Sequence, residues 1–269
     1  MAKAKLMGIL NVTDDSFYDQ SRYSVFEEAV ARGLQIAAEG ADLIDIGGES
    51  TRPGAPSVPE ELELERVIPV IKALCMKTAI PISIDTVKPH VAVAAIAAGA
   101  SMINDVSGFR DPEMCEVAVS CQVPVCLMHM QKTPSIMQEN PCYPQGVVNE
   151  VCSWFEIQII KLIKSGIKEK NIMIDPGIGF GKTIAHNLEI IQNLHKFKAM
   201  GFPLLLGVSR KSFMSKILNK PSGQLIHETV AMNAIALLSK VDMIRVHDVK
   251  EHRGVIDLLE QFMKHGNAE

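Results

Sequence analysis

Arg245 and His247 stand two residues apart in the short apolar run Asp242-Met-Ile-Arg-Val-His-Asp-Val249. Side chains alternate faces along a strand, so these two point the same way. A buried face with two such donors, one permanently charged, requires an anion. Asp242 and Asp248 are the structural candidates for that anion, and a phosphate-bearing ligand is the functional one. An earlier run, Leu204-Leu-Leu-Gly-Val-Ser-Arg-Lys-Ser212, has the same design, apolar first and cationic at its end. Two such strand ends, last in the chain and one helix-length apart, suit the phosphate corner of an eightfold β/α barrel.

Other apolar runs also end on polar residues: Asn11, Asp85, Asn104, Asp105, His129, Asp175 and Lys211. Their types suggest two sub-sites. Asp85, Asn104 and Asp175 supply acceptors with one amide donor, which suits a flat heterocycle bearing several N–H groups. Arg245, His247 and Asn11 suit a phosphate or diphosphate, with Asn11 able to offer an oxygen to magnesium. Lys211, one residue beyond Arg210, fits either. The segment Pro176-Gly-Ile-Gly-Phe-Gly-Lys-Thr183 ends like a phosphate loop, but Pro176 occupies the place of its first glycine. It reads instead as a tight loop whose glycines let backbone approach a ligand while Phe180 offers a stacking face. His90, His186, His195, His227, His252 and His265 lack metal-ligand spacing and read as surface or capping residues. Asp14, Asp15 and Asp19 are close together without an EF-hand pattern, and read as loop residues that can help hold magnesium.

Eight short aliphatic runs would position these side chains: Lys5 to Asn11, Leu43 to Ile46, Ile82 to Asp85, Met102 to Asp105, Val125 to His129, Ile172 to Asp175, Leu204 to Val208 and Met243 to Val246. Each suits a buried parallel strand and is too short for a helix. Segments of helical period lie between them. Val148, Val151, Phe155, Ile159 and Leu162 form one stripe, and Val255, Leu258, Leu259 and Phe262 another. Gly40, Gly99, Gly166 and Gly201 stand where helices should stop, and Pro69 should kink the second helix. The alternation predicts α/β architecture, a single (β/α)8 barrel over residues 1–269 with its site at the C-terminal rim of the strands. An open doubly wound sheet is the alternative. Three connections, 12–24, 47–59 and 130–146, are longer than a barrel turn requires, and all follow strands. Loops of that length are commonly lids or binding loops.

Bulk properties agree with a small-molecule role. The 269 residues fit one barrel, which typically needs ~250. Lys and Arg total 27 against 31 Asp and Glu, so nothing favours nucleic acid as a partner. The six cysteines form no Cys-x-x-Cys pair and read as free thiols. With no signal peptide or long apolar run, a cytoplasmic protein without membrane partners is expected.

The chain resembles the dihydropteroate synthase family of folate biosynthesis over nearly its whole length. The segments that carry the resemblance are Gly8-Ile-Leu-Asn-Val-Thr13 with Asp15-Ser-Phe17, Gly47-Gly-Glu-Ser-Thr-Arg-Pro-Gly54, Ile84-Asp-Thr86, Ile103-Asn-Asp105, Leu127-Met-His-Met130, Asp175-Pro-Gly177 with Gly179-Phe-Gly-Lys182, Ser209-Arg-Lys-Ser212 and Arg245-Val-His-Asp-Val249. Each alone is weakly specific; eight in order are highly specific. The resemblance implies a Mg2+-dependent transferase that joins 4-aminobenzoate to a dihydropterin carrying a hydroxymethyl diphosphate. It places Asp85, Asn104, Asp175 and Lys211 on the pterin, with Val106, Met128, Phe180 and Gly207 around it. Asn11, Arg245 and His247 would hold diphosphate and magnesium together with Thr51 and Arg52. Phe17, Pro53 and Ser212 would shape the aminobenzoate site. Asp85, Asp175, Lys211, Arg245 and His247 are the residues expected to carry catalysis. The family usually forms homodimers through outer helices, and sulfonamides mimic its aminobenzoate substrate.

The sequence departs from the family at Asp14, where proline is usual, and at Gln20-Ser21, where a glycine pair is usual. The helix before the last strand also differs, with His227-Glu228 before Thr229 and Lys240-Val241 at its end. Three other readings compete. A pterin-binding methyltransferase barrel would not need the cations Arg245, His247 and Lys211. A Schiff-base aldolase would use Lys211. A catalytically idle pterin-binding barrel, acting as a partner subunit, is the reading that the altered first loop would favour.

Overall fold

Period-two alternation along short β-rich runs sets the architecture. In the computed structural model, which describes residues 3–13, 22–50, 54–55, 57–134 and 136–265, these runs become parallel strands, each followed by helix. They are β1 Lys5–Asn11, β2 Leu43–Gly47, β3 Ile82–Asp85, β4 Met102–Asp105, β5 Val125–Met128, β6 Ile172–Asp175, β7 Leu205–Leu206 and β8 Met243–Val246. The ladder runs β6-β5-β4-β3-β2-β1-β8-β7. A single bridge, Ile174 to Leu204, with Ile174 N donating to Pro203 O, links β6 to the β7 segment and brings the sheet round to a nearly closed barrel. The seventh strand is shorter than its apolar run predicts. Leu204 serves that bridge and Gly207 leaves the ladder, freeing the backbone beyond it to turn over the barrel mouth.

The helices on the outside are α1 Arg22–Ala38, α2 Glu60–Lys77, α3 Pro89–Ala97, α4 Pro112–Cys121, α5 Val147–Ser165, α6 Ile184–Gln192, α7 Leu194–Lys198, α8 Ser212–Leu218, α9 Ile226–Leu238 and α10 Val249–His265. Pro69 lies inside α2, which continues to Lys77. Gly40, Gly99, Gly166 and Gly201 take positive φ at the ends of the preceding helices, the left-handed stop that glycine permits without steric cost. The predicted stripe of α5 is buried in full. That of α10 is not: Val249, His252 and Ile256 are buried, whereas Leu258 and Phe262 face outward at 70% and 66% exposure. His252, read as a surface or capping residue, is enclosed between α9 and α10, with its Nε2 3.0 Å from Asn233 Nδ2. Among the described residues no helix is long and apolar enough to cross a membrane.

Alternation divides each strand between two environments. Outward residues such as Leu6, Ile44, Ile84, Ile103, Leu127, Ile174 and Ile244 pack under the helices in the main core. Inward residues form a plug of Met7, Leu43, Met102, Cys126, Leu205 and Met243 at the N-terminal end of the barrel. Two residues further along five of these strands the inward positions become Ile9, Asp45, Asn104, Met128 and Arg245, with Gly207 just past the end of β7. An apolar floor thus supports a polar upper layer, and a carboxylate in that layer is held by the strands rather than by a loop.

Candidate active site

The upper layer opens into a cavity of about 440 Å3, within the usual range for small-ligand sites. Its wall includes Asn11, Asp85, Asn104, Val106, Met128, Asp175, Phe180, Gly207, Lys211, Ser212, Arg245 and His247. Strands β1, β3, β4, β5, β6 and β8 each deliver at least one of these side chains from a strand or its C-terminal end. Ser222 and Gly223, between α8 and α9, also line the cavity, although nothing in their sequence context singled them out. Thr51, Arg52, Pro53 and Phe17 lie outside the described residues, as do Asp14, Asp15, Asp19, Gln20 and Ser21.

Arg245 has carboxylate partners that the sequence did not suggest. Its Nε donates to Asp45 Oδ2 at 2.6 Å and its Nη2 to Asp85 Oδ2 at 2.6 Å. Asp242 and Asp248, the neighbours in sequence, are engaged elsewhere. Asp242 accepts from Leu204 N at 2.7 Å and pairs with Lys198, while Asp248 takes a two-point grip from Arg210 at 2.9 and 2.5 Å. Burial opposes the charge on Arg245, but Asp45 and Asp85 outweigh it and hold the guanidinium ionised. Asp45 itself was missed: it lies in an apolar run, Leu43-Ile-Asp-Ile46, and the signal that could have found it is a charged residue at an inward strand position.

Asp85 and Asn104 are register partners on β3 and β4. The Asp85 carboxyl is raised to about 7: burial drives it up most, Arg245 opposes the rise, and Asp45, Glu63 and Asp105 add to it. Asn104 donates its Nδ2 to Asp45 Oδ2 at 3.1 Å. One of the two N–H bonds of that amide is therefore used inside the protein, which leaves its oxygen as an acceptor and its second N–H as a donor. Asp175 ends β6 with Oδ1 accepting from Gly177 N at 2.8 Å; burial raises its carboxyl, against that bond and the charges of Lys211, Lys182 and Arg245.

The turn after β7 sets the two cations apart. Arg210 adopts φ 55°, with its N–H on Thr229 Oγ1 at 3.1 Å and its guanidinium on Asp248. The next residue, Lys211, swings over the Phe180 ring, with Nζ 4.2 Å from the centroid. Ser209 Oγ lies 2.9 Å from His247 Nδ1 and fixes that imidazole from the turn after β7.

Two strand-end residues do not reach the cavity. Asp105 accepts from Ser107 N, Ser107 Oγ and Phe109 N at 2.7, 3.0 and 2.8 Å, and so closes the turn after β4. His129 turns away to meet Lys182, whose Nζ is 2.9 Å from His129 Nδ1, 3.4 Å from His129 O and 3.0 Å from Phe180 O. Burial and the neighbouring charges of Lys182 and Arg110 hold the imidazole well below its ordinary value. The glycine-rich segment is thereby pinned against β5. A Cβ on Gly177, at φ 68°, would fall 1.9 Å from His129 O, so only glycine lets the two backbones meet.

Comparison with known proteins agrees with this geometry. Residues 7–247 match the pterin-binding enzyme family. Dihydropteroate synthase from Clostridium beijerinckii is 44% identical over 250 residues, 92% of this chain and 90% of that one. The chain belongs to the dihydropteroate synthase family. The structure of the Yersinia pestis dihydropteroate synthase with a sulfonamide drug complex superposes at a TM-score of 0.92, with 40% identity over 97% of this chain and 95% of that one. The Xanthomonas albilineans dihydropteroate synthase with 4-aminobenzoic acid superposes at 0.91, with 41% identity over 97% and 93%. These folds bear out the barrel over the open doubly wound sheet. The methyltransferase, aldolase and idle-subunit readings find no support in these likenesses.

Magnesium requires hard oxygen ligands, and it commonly binds through one or two protein groups plus substrate phosphates. Among the described residues no group of three or more His, Cys, Asp or Glu is arranged to hold a metal. Asn11, which lines the same cavity as the cations and carries a carboxamide oxygen, fits the sparser mode.

Proposed function

We propose that this protein transfers the 7,8-dihydropterin-6-ylmethyl group from its diphosphate to 4-aminobenzoate, releasing diphosphate and forming 7,8-dihydropteroate. The observation that carries the reading is one cavity whose wall combines three acceptors, Asp85, Asn104 and Asp175, with the cations Lys211 and Arg245. The pterin donates its N–H groups to the acceptors, between Val106, Met128 and Phe180, and Gly207 leaves room at the ring edge. Lys211 bridges toward the ring from above Phe180. His247 and Arg245, joined by Thr51 and Arg52, meet the diphosphate. Phe17, Pro53 and Ser212 shape the aminobenzoate pocket.

An aryl amine is unprotonated at neutral pH, so the nucleophile needs no strong base. The demanding event is cleavage of the C–O bond to diphosphate. Asp85 and Asp175 favour positive charge on the pterin side, while Arg245 and His247 favour negative charge on the departing group. Removing one such contact typically costs ~3 kcal/mol, about a hundredfold in rate. The amine nitrogen then bonds to the methylene carbon and gives its proton to water. Magnesium would add positive charge at the leaving group, and Asn11 is the residue that would hold it.

The protein is further proposed to work in the cytoplasm as a homodimer. Free cysteines support the compartment. The exposed apolar residues Ile235 and Leu238 on α9 and Leu258 and Phe262 on α10 support an interface away from the cavity. The deciding experiment supplies purified protein with the dihydropterin diphosphate and 4-aminobenzoate, first with Mg2+ and then with chelator. Metal-dependent 7,8-dihydropteroate is the expected result. Absence of product from protein that still binds the pterin would sink the assignment.

A further inference from the structure

Asp45 is fully buried and is not part of the cavity wall, yet it touches two residues that are. One oxygen, Oδ2, accepts from both Arg245 Nε at 2.6 Å and Asn104 Nδ2 at 3.1 Å. The other, Oδ1, has no partner among the described residues. A buried carboxylate left half-satisfied is costly, so packing alone does not account for it.

Its chemistry does. A carboxylate only accepts, whereas a carboxamide donates from nitrogen and accepts at oxygen. Asp45 therefore engages one N–H of Asn104 and fixes which end of the carboxamide is nitrogen and which is oxygen, leaving the oxygen to present an acceptor at a set position. The same oxygen holds Arg245 by Nε, which aims Nη2 at Asp85. We propose that Asp45 is a positioning residue that sets the hydrogen-bonding sense of the cavity. By fixing the sense of the Asn104 carboxamide, it makes the site select heterocycles whose N–H meets the carboxamide oxygen and disfavour those that set a ring acceptor against that oxygen. The ligand in this proposal rests on the pterin reading above, but the orientation of Asn104 does not.

Two measurements test it. The first is made on the ligand-free protein by 15N NMR, with the Asn104 side-chain signals identified by their loss in Asn104→Asp. A slowly exchanging amide is expected, and exchange as fast as that of surface carboxamides would overturn the proposal whether or not the protein is an enzyme. The second is Asp45→Asn, which removes the acceptor-only character at nearly constant shape. KM for the dihydropterin diphosphate should rise at least about tenfold, and preference for an N–H pterin over an analogue with a ring acceptor should fall by a similar factor. KM for 4-aminobenzoate should stay within about twofold, because that affinity does not depend on the Asn104 contact. Lower thermal stability with unchanged preference would reduce Asp45 to a structural residue. If the variant fails to fold, the amide exchange in the wild type still decides.

Discussion

Arg245 Nη2 lies 2.6 Å from Asp85 Oδ2, a pair that spans the barrel interior from β8 to β3. The cation proposed to steady the leaving group is thus seated on the carboxylate proposed to hold the pterin. Arg245→Ala should lower turnover at least about a hundredfold. It also strands Asp45 and Asp85, and removing one partner of a buried pair destabilises by ~3–5 kcal/mol. Arg245→Lys keeps the charge without the fork, and should recover stability more than rate. Steady-state kinetics beside urea unfolding separates the two; near-normal turnover in Arg245→Ala would remove it from the chemistry.

Asp85 should make pterin binding depend on pH. Burial holds its carboxyl near 7, so acidification protonates it in the neutral range. The protonated acid has one oxygen fewer to accept a ligand N–H. Pterin affinity should therefore weaken as pH falls through about 7, approaching tenfold per unit well below it. Calorimetric titrations between pH 5.5 and 8.5, on the order of one point per half unit, would trace this. Asp85→Asn should flatten the profile, and an unchanged slope in that variant would assign the proton to another group.

Strand ends were legible in the sequence because a barrel needs short aliphatic runs, and a polar residue closing such a run has few reasons to be there. Asn11, Asp85, Asn104, Asp175, Arg245 and His247 were found that way, and all reach one cavity. What the runs could not tell is which polar ends turn inward. His129 and Asp105 have the same sequence signature, but one faces Lys182 and the other closes its own turn. Partners across the barrel were also illegible: Arg245 and Asp45 are 200 residues apart, and no local pattern links them. The apolar stripe of α10 misled for a different reason, since Leu258 and Phe262 keep helical spacing while facing away from the sheet.

Asp175 should discriminate between the two halves of the substrate. Its carboxyl accepts Gly177 N with one oxygen, and it is the acceptor from β6 on the cavity wall. Asp175→Asn replaces one acceptor oxygen with a donor, which opposes a ligand N–H at ~1–3 kcal/mol for a buried group left unpaired. Pterin binding should weaken much more than diphosphate binding. Equal losses of the two, measured by isothermal calorimetry, would refute the division into sub-sites.

Lys182 ties the stacking loop to the strand behind it, and its titration should be visible in the stability of the whole protein. Its Nζ meets three acceptors, two of them on His129 and the third the carbonyl of Phe180, the residue whose ring lies under Lys211. Burial nevertheless lowers the ammonium from 10.5 to about 7, with Asp175 resisting and Lys211 adding to the fall. Between those values the folded chain holds fewer protons than the unfolded one. Stability from this group therefore rises as pH increases through that window, by up to about 1.4 kcal/mol per unit. Lys182→Met fills similar volume without titrating, so its stability relative to wild type should decline by ~2–3 kcal/mol from pH 7.5 to 9.5. Because the variant also releases the Phe180 carbonyl, pterin affinity should drop while aminobenzoate affinity holds. Urea unfolding at a series of pH values decides the first point: parallel curves for the two proteins would mean that Lys182 stays protonated throughout.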